Sequence, residues 1–165
     1  VWEGNMGSSK PSMLKHSIEI ETTPGKIWEF FVNLDKNYKT WHPEDHVLFK
    51  WVKGEPLNEG TTFYAEQYVK GKITKYKGTC AEIITNRKIV FKFGFPISIV
   101  TPKVEWLIEP QNSSCIFTAI TYMRFGKFFQ RLLKKHMKDN IELHDKHVGA
   151  EGEKLKKILE GNTEN

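Results

Sequence analysis

The sequence predicts an α+β domain: a curved antiparallel sheet of about seven strands wrapped around one long C-terminal helix, with an internal cavity between them. Three observations carry this. A strand-like run and a short helical segment open the chain. About six further strand-like runs then follow at hairpin spacing. One long helical stretch closes it, and no other element is long enough to cover the concave face of so wide a sheet.

Taken in order, "LKHSIEIET" (14–22) alternates apolar and polar residues, which places Leu14, Ile18 and Ile20 inward on a strand. "TPGKIWEFFVNLDKNY" reads as a helix, with Thr23 as its cap and Pro24 in its first turn. Ile27, Phe30, Phe31 and Leu34 form its buried side. The loop "KTWHPEDH" follows, stiffened by Pro43. Strands are predicted near 47–53, 61–69, 72–85, 87–95, 102–109 and 114–124, separated by turn signals such as Lys70-Gly71-Lys72 and Pro110-Gln111-Asn112. A helix over about 127–160 completes the domain, and 161–165 is a polar tail. Residues 1–13 read as a flexible tail, in part an expression remnant, so the single domain spans 14–160.

Composition narrows the function classes. The chain has 165 residues, with 11 Phe, 5 Trp and 5 Tyr, more aromatic bulk than a small core needs and enough to line a cavity. Net charge is +5. The excess lies in the last third, where lysines alternate with Asp139, Glu142, Asp145 and Glu153 in the manner of a solvated helix face. No nucleic-acid motif accompanies them, and no apolar run is long enough to insert into a membrane. Cys80 and Cys115 form no disulfide framework, so a cytoplasmic location is the expectation, for a monomer or homodimer.

Chemistry concentrates in three places. On the last helix Met137, Ile141, His144, Val148 and Leu155 share the stripe facing the sheet, while His147 and Glu151, four residues apart, lie beside each other at its flank. His-x3-Glu on a helix can offer one nitrogen and one oxygen to a divalent metal. Gly149 and Gly152 allow a close approach of that helix, or room for a ligand. In "TTFYAEQYVKG" one strand face carries Thr62, Tyr64, Glu66 and Tyr68, and the other Phe63, Ala65, Gln67 and Val69. Both are mixed, and alternation leaves open which is concave. The loop offers His42, Glu44, Asp45 and His46. A hollow walled by Phe91, Phe93, Phe95, Trp106, Tyr122, Met137 and Ile141 would take a small, flat, hydrophobic and aromatic ligand.

The strand order and closing helix resemble the Bet v 1-like (START, polyketide cyclase) superfamily, whose helix-grip fold this implies over 14–160, and "GAEGEKLKKILE" is similar to the end of its cyclase/dehydrase members. A sharper resemblance is to the zinc-dependent diacetylphloroglucinol hydrolase group. It rests on "YKTWHPEDHVLFKW", on "EQYVKGK" at 66–72 and on "HVGAE" at 147–151. That resemblance implies a zinc site, with manganese and iron as alternatives, made by Glu66, His147, Glu151 and one loop histidine. His46 is favoured over His42 because it stands where the chain enters the sheet. It also implies hydrolysis of a ketone by metal-activated water with carbon–carbon cleavage, and Tyr64, Tyr68, His42 and His144 as candidate proton donors. The hydrolases of that group carry a further N-terminal region at the substrate site with no counterpart in these 165 residues, so the metal set can match while the substrate differs. The competing expectations are a non-catalytic carrier of a hydrophobic ligand or lipid, and a metal-free polyketide cyclase.

Overall fold

The computed structural model describes residues 2–3, 12–124 and 134–161, and side chains from 13 to 124 and from 141 to 161. Its elements run β1 (Trp2–Glu3), β2 (Ser12–Ile20), α1 (Pro24–Val32), α2 (Leu34–Trp41), β3 (His46–Lys53), β4 (Thr62–Val69), β5 (Lys72–Ile84), β6 (Lys88–Phe93), a 3-10 turn (Ile97–Ile99), β7 (Lys103–Pro110), β8 (Cys115–Met123) and α3 (Lys134–Leu159). The strands form one sheet in the order β1-β2-β8-β7-β6-β5-β4-β3. Every pairing is antiparallel. The architecture is the α+β arrangement the sequence predicts, with β2 crossing to pair with β8 while β3 closes the far edge.

Three boundaries differ from expectation. The helical segment is two helices. Asn33 ends α1, its backbone N–H and its side-chain amide both donating to the Glu29 carbonyl. An Asn side chain that competes for helix carbonyls in this way favours a break. The loop is shorter than read, because α2 runs through Trp41 and His46 already begins β3. The first strand starts at Ser12, and Trp2–Glu3 pairs with it at Leu14 and Met13, inside the segment read as a tail. The beginning of the last helix, 127–133, lies outside the described residues.

Local chemistry explains the rest. Thr23 caps α1, its Oγ1 accepting from the Lys26 N–H, and Pro24 supplies the first turn. Leu34, Tyr38 and Trp41 recur at helical spacing and are buried. Lys70 and Gly71 both have positive φ, the requirement of a two-residue hairpin between β4 and β5. Under the sheet, Phe31 is fully buried among the rings of Phe30, Trp41, Trp106 and Phe117. Gly149 and Gly152 set α3 against β2: a Cβ at the first would meet the His16 ring at 3.5 Å, and at the second Ile18 Cγ2 at 3.6 Å. Both are ordinary contact distances, so the helix lies against the sheet at these glycines and leaves no ligand space there.

Gly78 on β5 is tighter still. A Cβ there would come within 2.4 Å of Phe63 Cζ and 2.8 Å of the Lys92 carbonyl. Phe63 stacks on Phe49 and meets Phe91 edge-on, so it has little freedom to yield. Gly78→Ala is expected to destabilise the protein by about 1–3 kcal/mol. A lowered urea midpoint at unchanged slope is the result to look for, and an unchanged midpoint would show that the Phe63 ring relocates freely.

Candidate metal centre and ligand cavity

The short loop after α2 and the start of β3 bring His46 inward. The His46 and Asp45 N–H groups both donate to the His42 carbonyl, and the Asp45 carbonyl accepts from the Tyr68 N–H, which ties the loop to β4. A bulge between His46 and Leu48 inserts one residue into β3. It lets His46 and Phe49 share the inner face despite their odd spacing. Across the cavity, Glu151 is set by α3, and its backbone carbonyl accepts from Trp41 Nε1 at 2.8 Å, which pins α2 to α3 beside the site.

Two histidines converge on Glu151. His46 Nε2 lies 2.8 Å from Glu151 Oε1, and His147 Nε2 lies 3.1 Å from the same oxygen. The other nitrogen of each ring is also engaged. His46 Nδ1 is 2.9 Å from the Tyr38 carbonyl, and His147 Nδ1 is 3.0 Å from Asp45 Oδ2. The Tyr38 ring stacks flat on His46 at 3.8 Å between centroids. Ligand atoms of His46, His147 and Glu151 all fall within 4.8 Å of one another, and so do those of His42, Asp45 and His147.

Hydrogen-bond accounting makes this cluster unusual. A carbonyl or carboxylate oxygen can only accept, so both Nδ1 atoms must donate. Both Nε2 atoms then face a second acceptor, the shared Glu151 oxygen. Either protons fill these contacts, on both imidazoles or on one imidazole and the Glu151 carboxyl, or a cation stands between the Nε2 lone pairs and the carboxylate. With protons on both imidazoles, two positive rings stand 5.8 Å apart at the edge of an apolar cavity. The cation alternative is the arrangement by which metal-ligating histidines are oriented by an outer carbonyl or carboxylate on the opposite nitrogen. Electrostatics matches the crowding. Burial works against charge on Glu151, yet the His147 and His46 imidazoles outweigh it and hold the carboxyl far below its usual range. Burial likewise opposes protonation of His147, and the Glu151 and Asp45 carboxylates overcome it and raise its pKa. His42, also buried, is lowered by desolvation and by its His147 neighbour, whose ring centroid is 4.9 Å away; its Nδ1 has no hydrogen-bond partner among the described residues.

The cluster closes one side of a cavity of about 440 Å³. Phe91, Phe93 and Trp106 line it as the sequence predicts, and His144 joins them, its Nε2 3.2 Å from Thr121 Oγ1. Burial lowers the His144 pKa, which keeps the ring neutral at physiological pH.

Other sequence candidates stand elsewhere. Glu66 is not part of the cluster. The inner face of β4 is the one with Phe63 and Gln67, so Glu66 lies on the outer face, accepting from the Tyr64 hydroxyl and 3.5 Å from Lys75. A carboxylate there is paired by the lysines of neighbouring strands and needs no cation. Tyr64 and Tyr68 share that outer face, Tyr68 being exposed, and neither reaches the cavity. Phe95 is 84% exposed in the loop after β6. Tyr122 faces outward under the Lys103 ammonium, 4.0 Å from the ring centroid. Ile141 is half-buried but does not line the cavity, and the Met137 side chain lies outside the described residues.

Asp45, offered by the loop as a possible ligand, instead holds the His147 ring. Three residues of the site were not singled out as functional from sequence: Tyr38 holds the His46 ring, and Gln67 and Tyr76 line the cavity next to it. A signal existed for Gln67. Three of the four residues on its face, Phe63, Ala65 and Val69, are wholly apolar, whereas the face of Glu66 has only the two tyrosines, each with a polar hydroxyl. That difference favours burial of the Gln67 side.

No protein-family model and no curated protein matches the chain. Solved structures do. Norcoclaurine synthase from Thalictrum flavum, in complex with dopamine and hydroxybenzaldehyde, superposes with a TM-score of 0.67 at 13% identity, over 95% of this chain and 91% of that one. The ginseng major latex-like protein 151 of Panax ginseng gives 0.68 at 11% identity, over 90% and 97%. The di-domain ARO/CYC StfQ of the steffimycin biosynthetic pathway gives 0.70 at 11% identity, over 91% of this chain and 51% of that one. The fold is Bet v 1-like. At these identities the likeness concerns the fold, and it includes polyketide-cyclase-type structures. Among the described residues no helix is long and apolar enough to cross a membrane.

Proposed function

We propose that the protein binds a small, flat, largely apolar molecule in its cavity and is a metal-dependent hydrolase of an aromatic or polyketide-like ketone. The metal would be a divalent ion, zinc by the nitrogen and oxygen character of the donors, held by His46, His147 and Glu151. The observation that carries this reading is the single carboxylate oxygen shared by two imidazole Nε2 atoms whose Nδ1 atoms are already engaged. A bound divalent ion would polarise a ketone carbonyl and lower the pKa of a water toward 7.

The chain's own residues would do the remaining work. Tyr38 and Asp45 fix the two rings. A three-residue donor set, instead of the four expected, leaves coordination positions for water and substrate. The rings of Phe91, Phe93 and Trp106 exclude bulk water from the ligand. Cleavage of an acyl–ring bond leaves a carbon that must gain a proton. Of the four expected donors only His144 lines the cavity, and its neutral ring would take the proton released by the attacking water and hand it to that carbon.

The structural neighbours favour a second reading. Norcoclaurine synthase and the ARO/CYC protein share this fold, and a cavity rich in aromatic rings, with His144 neutral in its wall, suffices for a metal-free cyclase or a ligand carrier. Elemental analysis of protein purified without a nickel column separates the two. One zinc per chain supports the hydrolase. Metal-free protein that also fails to take up zinc on dialysis, with a co-purified organic ligand in native mass spectrometry, supports the carrier or cyclase. On the metal reading, Asp45→Asn is expected to weaken zinc affinity about 10–100-fold, because the amide holds the His147 ring less firmly than the carboxylate. Competition with a chromogenic chelator measures this, and unchanged affinity would remove Asp45 from the design.

A further inference from the structure

Gln67 is the direct cross-strand partner of His46, and both side chains lie on the inner face of the sheet. Partners so placed have Cβ atoms about 4.5–5.5 Å apart, so the amide stands beside the imidazole cluster. Its orientation is set by two phenols. Tyr76 Oη donates to Gln67 Oε1 at 2.9 Å and Tyr38 Oη does so at 3.2 Å, with 3.1 Å between the two hydroxyls. Each phenol hydroxyl gives its one hydrogen to this oxygen. The amide oxygen is therefore fully used. The Gln67 Nε2 group, with two N–H donors, has no acceptor among the described residues.

We infer that Gln67 is a specificity-determining residue: its Nε2 donates to an oxygen acceptor, a carbonyl or phenolate, carried by the ring of the cavity ligand. This rests on the reading of the cavity as a small-molecule site, but not on the metal. The physical reason is the cost of an unpaired donor in an apolar cavity, which a ligand oxygen removes and an apolar group of the same shape cannot. Tyr38 and Tyr76 are positioning residues in this arrangement. They turn the amide so that its donors, and not its oxygen, are free. The subsite would thus select ketones and phenols over hydrocarbons or lipid chains of equal size, and it would place that oxygen next to His46.

The test uses two ligands of matched shape, 2-acetylnaphthalene and 2-isopropenylnaphthalene, which differ in replacing the carbonyl oxygen by a methylene. Binding is measured by equilibrium dialysis in excess chelator, so that no metal contributes. Gln67→Leu removes the amide. Gln67→Glu keeps an acceptor for both phenols and replaces the N–H donors by a carboxylate oxygen, which repels a ligand oxygen. The ratio of acetyl to isopropenyl affinity is expected to fall about tenfold in each variant relative to the wild type, while isopropenyl binding stays within about twofold in Gln67→Leu. A ratio unchanged in both variants overturns the assignment of Gln67 and leaves the cavity reading intact. Failure of the wild type to bind either naphthalene overturns both.

Discussion

Glu151→Gln is expected to abolish metal uptake, with zinc affinity falling more than about 100-fold, beyond what the loss of an outer partner costs. The substitution is nearly isosteric and keeps the α3 backbone that accepts from Trp41 Nε1. It removes the one negative oxygen toward which both Nε2 atoms point. Glu66→Gln is the matched control and is expected to leave zinc binding unchanged, because Glu66 is on the outer face with Tyr64 and Lys75. Cobalt substitution gives the readout: the d–d absorption of a nitrogen/oxygen site should appear in the wild type and in Glu66→Gln and be missing in Glu151→Gln. Loss in Glu66→Gln instead would mean that the four-ligand set inferred from family resemblance was right and the outer placement wrong.

The same pair carries a pH signature with a definite sign. The His147 pKa is raised above its ordinary 6.5. Its contribution to metal-free stability is therefore complete below that value and is lost as pH rises through the raised folded pKa. The Glu151 carboxyl is depressed, so its contribution is lost only as pH falls far into acid. Metal-free wild type should weaken from neutral to alkaline pH. Zinc-loaded protein should show the opposite trend over that range, since ligands must shed protons to bind metal. Urea midpoints at several pH values, with and without chelator, measure both slopes. Equal slopes in the two states would argue against a cation at this cluster.

Phe31→Ala is expected to cost about 3–5 kcal/mol, the largest loss from any single truncation under the sheet. Phe31 is fully buried, and its ring touches those of Phe30, Trp41, Trp106 and Phe117. Trp41 joins α2 to α3, and Trp106 walls the cavity, so a void at Phe31 loosens both the helix contact and the ligand wall. Chemical denaturation measures the stability loss, and a cost below about 1 kcal/mol would mean that these four rings collapse into the space.

Much of the fold was legible because burial follows simple periods. Ile27, Phe30 and Phe31 at helical spacing are buried in α1, and Val148 and Leu155 mark the inner stripe of α3. Strands β3 to β8 fall within two residues of their predicted starts. The break at Asn33 was harder to read, because it depends on one side chain taking a helix carbonyl.

For the site, the sequence alone determined that imidazoles and carboxylates sit on the loop and the last helix. His147 and Glu151 are neighbours by helix geometry wherever that helix packs. Tertiary structure decided the rest. Which face of β4 is concave depends on the whole sheet, and alternation alone is symmetric between Glu66 and Gln67. The bulge at His46 shifts the register by one residue, which no local pattern announces, and that shift delivers His46 to Glu151. Tyr38 and Asp45 act through a backbone carbonyl and a carboxylate on atoms as many as 102 residues away. Contacts of that kind arise only when α3 closes over the sheet, since sequence specifies what each side chain can donate or accept and the packed chain specifies what stands opposite it.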